Sequence, residues 1–154
     1  EEHDLGVVRP EMQARLVGLR RRRVPDLWFV TKEREGLIDR ACLDGPPDLA
    51  VEIVSPDSAG RDWREKYLEY EAAGVREYWV IDPASQHMEA YALAAAAPEP
   101  GQPPATRYRR LSEEDGVIAS VVLSGLRLRV NWLWPQTRVK VLEALAQMGV
   151  RGRS

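Results

Sequence analysis

With one cysteine, Cys42, and two histidines, His3 and His87, this chain can form no internal disulfide and cannot build a zinc site from the usual ligands. Cys42 has no histidine near it in sequence to activate it, and Ser55 has no visible triad partner, so thiol and serine hydrolase chemistry are disfavoured. So little cysteine fits a reducing cytoplasm. No apolar run approaches the roughly 18 residues of a membrane span, and no charged-then-apolar leader is present. Charge of one sign is not in excess either. Lys and Arg number 22 against 24 Asp and Glu, a net charge of -2, so any basic surface for nucleic acid must be local.

What is present suits one domain spanning 1–154: the length allows a real core and the hydrophobic fraction is 44%. The chain opens at Glu1 without methionine, as a fragment or processed product would. Residues 5–8 and 12–17 are short apolar runs broken by Pro10, read as two strands or a bent ribbon. The run Arg20 to Arg23 leads into Val24-Pro25-Asp26-Leu-Trp-Phe-Val30, a strand, and residues 32–46 read as a short helical turn or loop. Leu49 to Val54 is a second strand, after which Asp57 or Ser58 is placed to cap a helix. Trp63, Tyr67 and Tyr70 recur at helical spacing over 61–73, and Gly74 stands where a helix commonly stops. The apolar run Glu77 to Ile81 then predicts a strand parallel to 49–54, with 88–93 as its antiparallel partner.

Downstream, 94–104 is an Ala/Pro/Gly loop, and 108–111, 117–123 and 126–130 read as short strands. Val139, Leu142, Leu145, Ala146 and Val150 predict a terminal helix packed back on the sheet. The architecture expected is α/β. The apolar tail from Trp132 to Val150 also makes a homodimer plausible.

Chemistry is best sought between residues 47 and 82. Glu52 stands inside an apolar strand, where a charge costs several kcal/mol unless compensated. A neutral acid or salt bridge is one explanation and a metal ligand is the other. Asp26 opens the other apolar strand in the same Pro-Asp context, and if the two strands are neighbours the carboxylates converge. Two hard oxygen donors with space for water suit Mg²⁺ or Mn²⁺. Asp48 lies four residues before Glu52 on the same strand face, roughly 13 Å away, too far to share an ion. It suits a role in orienting the loop, or in holding a second ion.

Asp62, Lys66 and Tyr70 share one stripe of the helix that follows. Lys66 is either a solvated partner of Asp62 or an ammonium that orients water beside a metal and offsets charge on phosphorus. Arg21, Arg22 and Arg23 are candidate phosphate contacts or a solvated connection. Trp63 is the one tryptophan considered for base stacking, with core packing as the competing role.

These blocks, Pro25 to Val30, Pro47-Asp48-Leu-Ala-Val-Glu52-Ile-Val-Ser-Pro56, Asp62-x3-Lys66-x3-Tyr70 and Gly74 to Pro83, resemble the bacterial Uma-two family of proposed endonucleases. That family is placed in the PD-(D/E)XK restriction-endonuclease-like superfamily. The resemblance implies a mixed sheet flanked by helices and Mg²⁺-dependent cleavage of DNA phosphodiesters. It assigns metal binding to Asp26, Glu52 and the backbone carbonyl of Ile53. The superfamily lysine normally stands two residues after the glutamate, where this chain has Val54; the resemblance implies a lysine moved to the helix, at Lys66. The helical segment with which the family usually begins finds no match before Leu5. A nuclease is therefore the leading expectation, and a nuclease-fold module that binds DNA or protein without cutting is the competing one.

Overall fold

The computed structural model describes residues 5–55, 62–98 and 100–148. The expected helix cap at Asp57 or Ser58, the side chain of Asp62 and the end of the terminal helix at Val150 lie outside the described residues. In chain order the strands are β1 (Gly6–Pro10), β2 (Gln13–Leu16), β3 (Arg21–Arg23), β4 (Leu27–Thr31), β5 (Cys42–Leu43) and β6 (Leu49–Ile53). Helix α1 (Asp62–Ala73) follows, then β7 (Glu77–Asp82), β8 (His87–Ala95), β9 (Thr106–Arg110), β10 (Glu113–Glu114), β11 (Val117–Ala119) and β12 (Arg127–Arg129). Helix α2 (Val141–Gln147) is the last described element.

Six strands form the central mixed sheet in the order β1-β4-β6-β7-β8-β9. Strands β6 and β7 are its parallel pair, joined through α1, and every other neighbouring pair is antiparallel. Leu49, Ala50, Val51 and Glu52 are all buried, as expected for a central strand covered on both faces. Alternation along the strands then sorts the core. Ala50, Tyr78, Val80 and Tyr108 pack on one face with Tyr70 of α1 and with Leu16. Phe29, Leu49, Val51, Trp79, Met88 and Ala90 pack on the other, against Ile118, Val130 and Trp134.

Each face carries a small three-stranded sheet. On the α1 side, β3-β2-β5 packs Ala14 and Leu43 against Trp28 and Val30, and the Trp28 indole donates to the Met12 carbonyl at 2.9 Å. β3 and β5 were not expected as strands. β10-β11-β12 covers the opposite face. There β11 stops at Ala119, four residues short of the predicted strand, because of Glu77. That fully buried carboxylate accepts from the Trp79 indole at 2.6 Å, from Ser120 Oγ at 2.8 Å and from the N–H groups of Val121 and Val122 at 2.9 and 2.8 Å. The backbone donors that would extend the ladder are drawn onto a side chain.

Gly74, at φ +82°, ends α1 in the left-handed conformation that glycine adopts without strain, and the Val75 N–H closes onto the Tyr70 carbonyl. At the outer edge of the sheet, the Tyr108 N–H of β9 donates to Glu71 of α1 at 2.6 Å. The terminal helix differs from expectation. It buries no residue among those described, and Val141 and Leu142 are 74% and 79% exposed, whereas Ile118, Val130 and Trp134 fill the core on the face of the sheet opposite α1. Among the described residues no helix is long and apolar enough to cross a membrane.

Candidate functional site

The site lies at the end of the parallel pair, on the face covered by α1. Glu52 shares that face with Ala50 and is 5% exposed. Two donors from α1 reach it: Lys66 Nζ at 3.0 Å from Oε2, and the Tyr70 hydroxyl at 2.7 Å from Oε1. Lys66 and Tyr70 are four residues apart on the helix, so one stripe supplies both. Burial raises the pKa of Glu52 above its ordinary value, the hydrogen bonds from Tyr70 and Lys66 and the charge of Lys66 oppose that rise, and the charge of Asp26 adds to it. Burial and the Glu52 charge push the Tyr70 phenol well above its usual range. Tyr70 therefore keeps its proton and serves Glu52 as a donor only.

Asp26 comes from the neighbouring strand. Leu27 of β4 pairs with Val51 of β6, so one position further Asp26 stands opposite Glu52, on the same face. Its Oδ2 accepts the Ile53 N–H at 2.6 Å, which ties the Pro25-Asp26 turn to the end of β6. Ile53 itself is half exposed at that end. The sheet thus brings Asp26, Glu52, Ile53, Lys66 and Tyr70 together.

Asp48 is elsewhere. It is 1% exposed at the opposite end of β6, accepts the Thr31 N–H and an Arg34 guanidinium donor, both at 2.8 Å, and lies 3.7 Å from Arg76. It fastens the loop after β4 to the start of β6. Arg21 and Arg23 turn toward α1 and pair with Glu65 and Glu69. Exposed Arg22 reaches Gln13 at 3.4 Å. Trp63 is partly buried against the core under α1.

Sequence reasoning missed Glu65 and Glu69. The available signal was a match of periods: Arg21 and Arg23 are two apart on a strand, and the glutamates are four apart on a helix, so each pair projects from one face.

Among the described residues no cluster of three or more His, Cys, Asp and Glu side chains is arranged to hold a metal ion. The donor set is instead two carboxylates facing across neighbouring strands, near enough that the charge on Asp26 disfavours ionised Glu52. A divalent cation relieves that repulsion, and two carboxylates completed by water are the set that Mg²⁺ and Mn²⁺ accept. The residues present therefore fit such an ion.

Comparison with known proteins bears on the family and the fold. The family model described as "Uma2: Putative restriction endonuclease" matches residues 1–131. No curated protein matches. Solved structures do, among them the crystal structure of a putative nuclease belonging to DUF820 from Anabaena variabilis ATCC 29413. It is 20% identical, with a TM-score of 0.64 over 87% of this chain and 70% of that one, a likeness of fold.

Proposed function

The chain belongs to the Uma2 putative restriction endonuclease family, and from that membership and the site geometry we propose that it hydrolyses DNA phosphodiester bonds with the help of a divalent metal ion. One observation carries the proposal: Lys66 reaches a buried Glu52 that faces Asp26 across neighbouring strands. A lysine and two acids then meet at one sheet end, although Val54 occupies the position two residues after the glutamate.

In this reading Asp26, Glu52 and the Ile53 carbonyl would hold Mg²⁺ or Mn²⁺. Once bound, such an ion supplies positive charge to the phosphate and acidity to water. Lys66 places a second positive charge at the same carboxylate, where it orients the attacking water and offsets charge building on phosphorus. Tyr70, locked as a donor, fixes the Glu52 carboxylate so that its orientation is set before substrate arrives. The water oxygen bonds to phosphorus, the bond to one sugar oxygen breaks, and a phosphate monoester and a hydroxyl result. Arg22, exposed on β3, is available to a neighbouring phosphate.

A second reading has support of its own. Both Glu52 oxygens are already hydrogen-bonded, so the trio is satisfied without a ligand, as in a nuclease-fold module that binds DNA or protein without cutting. Supercoiled plasmid incubated with Mg²⁺ or Mn²⁺ separates the two. We expect nicking by the native chain and a loss of about 100-fold or more in Glu52→Gln and Lys66→Met. No nicking with either ion, together with retained DNA binding, would establish the module. Undiminished nicking by Glu52→Gln would place the chemistry elsewhere.

A further inference from the structure

Four charged side chains bind β3 to α1 beside the site. Arg21 Nη1 lies 2.9 Å from Glu65 Oε1 and 2.5 Å from Glu69 Oε1. Arg23 reaches the same two residues, Glu69 through Nε at 2.6 Å and Glu65 through Nη2 at 3.2 Å. The inner half is sheltered, with the Glu69 and Arg23 side chains 11% and 22% exposed, whereas Arg21 and Glu65 are both 55% exposed. Hydrogen bonding to Glu69 raises the pKa of Arg23, and the same bond lowers that of Glu69, so both stay charged.

Each glutamate directly precedes a residue that holds Glu52: Glu65 stands before Lys66, and Glu69 before Tyr70. Successive helical residues lie about 100° apart around the axis. One stripe of α1 therefore grips the arginines while the adjacent stripe grips Glu52. A 20° rotation of α1 would swing a head group roughly 6 Å from the axis by about 2 Å, enough to break the 3.0 Å contact from Lys66 to Glu52.

We propose that Arg21, Arg23, Glu65 and Glu69 form a positioning clamp that fixes the rotation of α1 and so sets Lys66 and Tyr70 on Glu52. A phosphate arriving at Arg23 would have to displace a sheltered Glu69, so this arginine acts through the helix and not on the nucleic acid. The catalytic consequence rests on the nuclease reading. The clamp itself can be tested without it.

The chain has only three lysines, Lys32, Lys66 and Lys140. The Lys66 side chain is 17% exposed against 52% for Lys32, and Lys140 is exposed as well. Limited acetylation of the folded protein with acetic anhydride, read by mass spectrometry, therefore gives Lys66 two internal references. In Arg23→Ala we expect Lys66 labelling, relative to the other two, to rise about tenfold. Glu69→Gln should act in the same direction and carries the comparison if Arg23→Ala does not fold. The exchange Arg23→Glu with Glu69→Arg should restore protection. Folded variants that protect Lys66 as well as the native chain would overturn the clamp, since a merely stabilising network lowers Tm without unmasking this amine.

On plasmid, the clamp variants should lower kcat and leave KM unchanged. A raised KM with a shallower salt dependence would instead mark Arg23 as a phosphate contact and would also overturn the proposal. If the native chain nicks nothing, the nuclease reading fails while the labelling result still decides the clamp.

Discussion

Replacing Lys66 by methionine removes a cation from beside a buried acid and keeps most of the side chain's bulk. Glu52 is 5% exposed and burial already raises its pKa; Lys66 is one of the two groups that hold it down. Without the ammonium, Glu52 keeps the Tyr70 hydrogen bond and the repulsion from Asp26, so its pKa rises further. Breaking a fully buried ion pair costs roughly 3–5 kcal/mol. The Lys66 side chain retains 17% exposure, and solvent screens that part, so we expect a loss of about 2 kcal/mol at neutral pH.

The pH dependence has a definite sign. In the unfolded chain Glu52 titrates near its ordinary 4.5. Below that value it is protonated in both states, needs no cation, and the variant's deficit should close. As pH climbs through the native folded value toward the variant's higher one, the deficit opens, and above the variant's folded value it is complete. Urea unfolding of both proteins at intervals from about pH 4 to about pH 8 measures this directly. At neutral pH the loss corresponds to about 4–8 °C in Tm. An equal deficit at both ends of the range would show that Lys66 contributes packing and not charge, and would refute the reasoning.

Asp26→Asn removes one donor and one source of repulsion, so calorimetry should show a more stable metal-free protein that has lost its Mn²⁺-dependent rise in Tm. In the native chain that rise should be worth about 2.7 kcal/mol at a hundredfold excess over Kd. Glu77→Ala strands the Trp79 indole, the Ser120 hydroxyl and two backbone N–H groups. Urea unfolding should record a loss of about 3 kcal/mol or more, given roughly 1–3 for each buried group left unpaired. Leu142→Lys on α2 should change unfolding free energy by less than about 0.5 kcal/mol, and sedimentation of the same variant tests whether that face joins two copies.

The central strands were legible because their signals are local. The apolar runs at Leu49–Ile53 and Glu77–Asp82, with a helical stripe between them, specify a parallel pair and its crossover. The fold class follows from that unit. The meeting of Asp26, Glu52 and Lys66 was expected from strand adjacency and helix spacing, and the structure sets the three at one sheet end. Less legible was anything decided by partners far away in sequence. Arg21 and Arg23 look like a basic run until α1 brings Glu65 and Glu69 some 42 to 48 residues later. Apolar spacing in the tail predicted a packed helix, but spacing does not report whether the receiving face is already filled. Glu77 likewise looks like the flank of a strand, and only the turn at 120–123 reveals why it is fully buried.

The hydrogen bond from the Tyr108 N–H to Glu71 bears on self-association. β9 is the terminal strand of the sheet, and its outward N–H groups are what a strand from another molecule would need to continue the ladder. One of them is already occupied by a helix carboxylate, whose negative charge would also lie against any incoming carbonyl. Growth by strand addition is thus blocked at this margin, and edge-to-edge addition is left to β1, the other outermost strand.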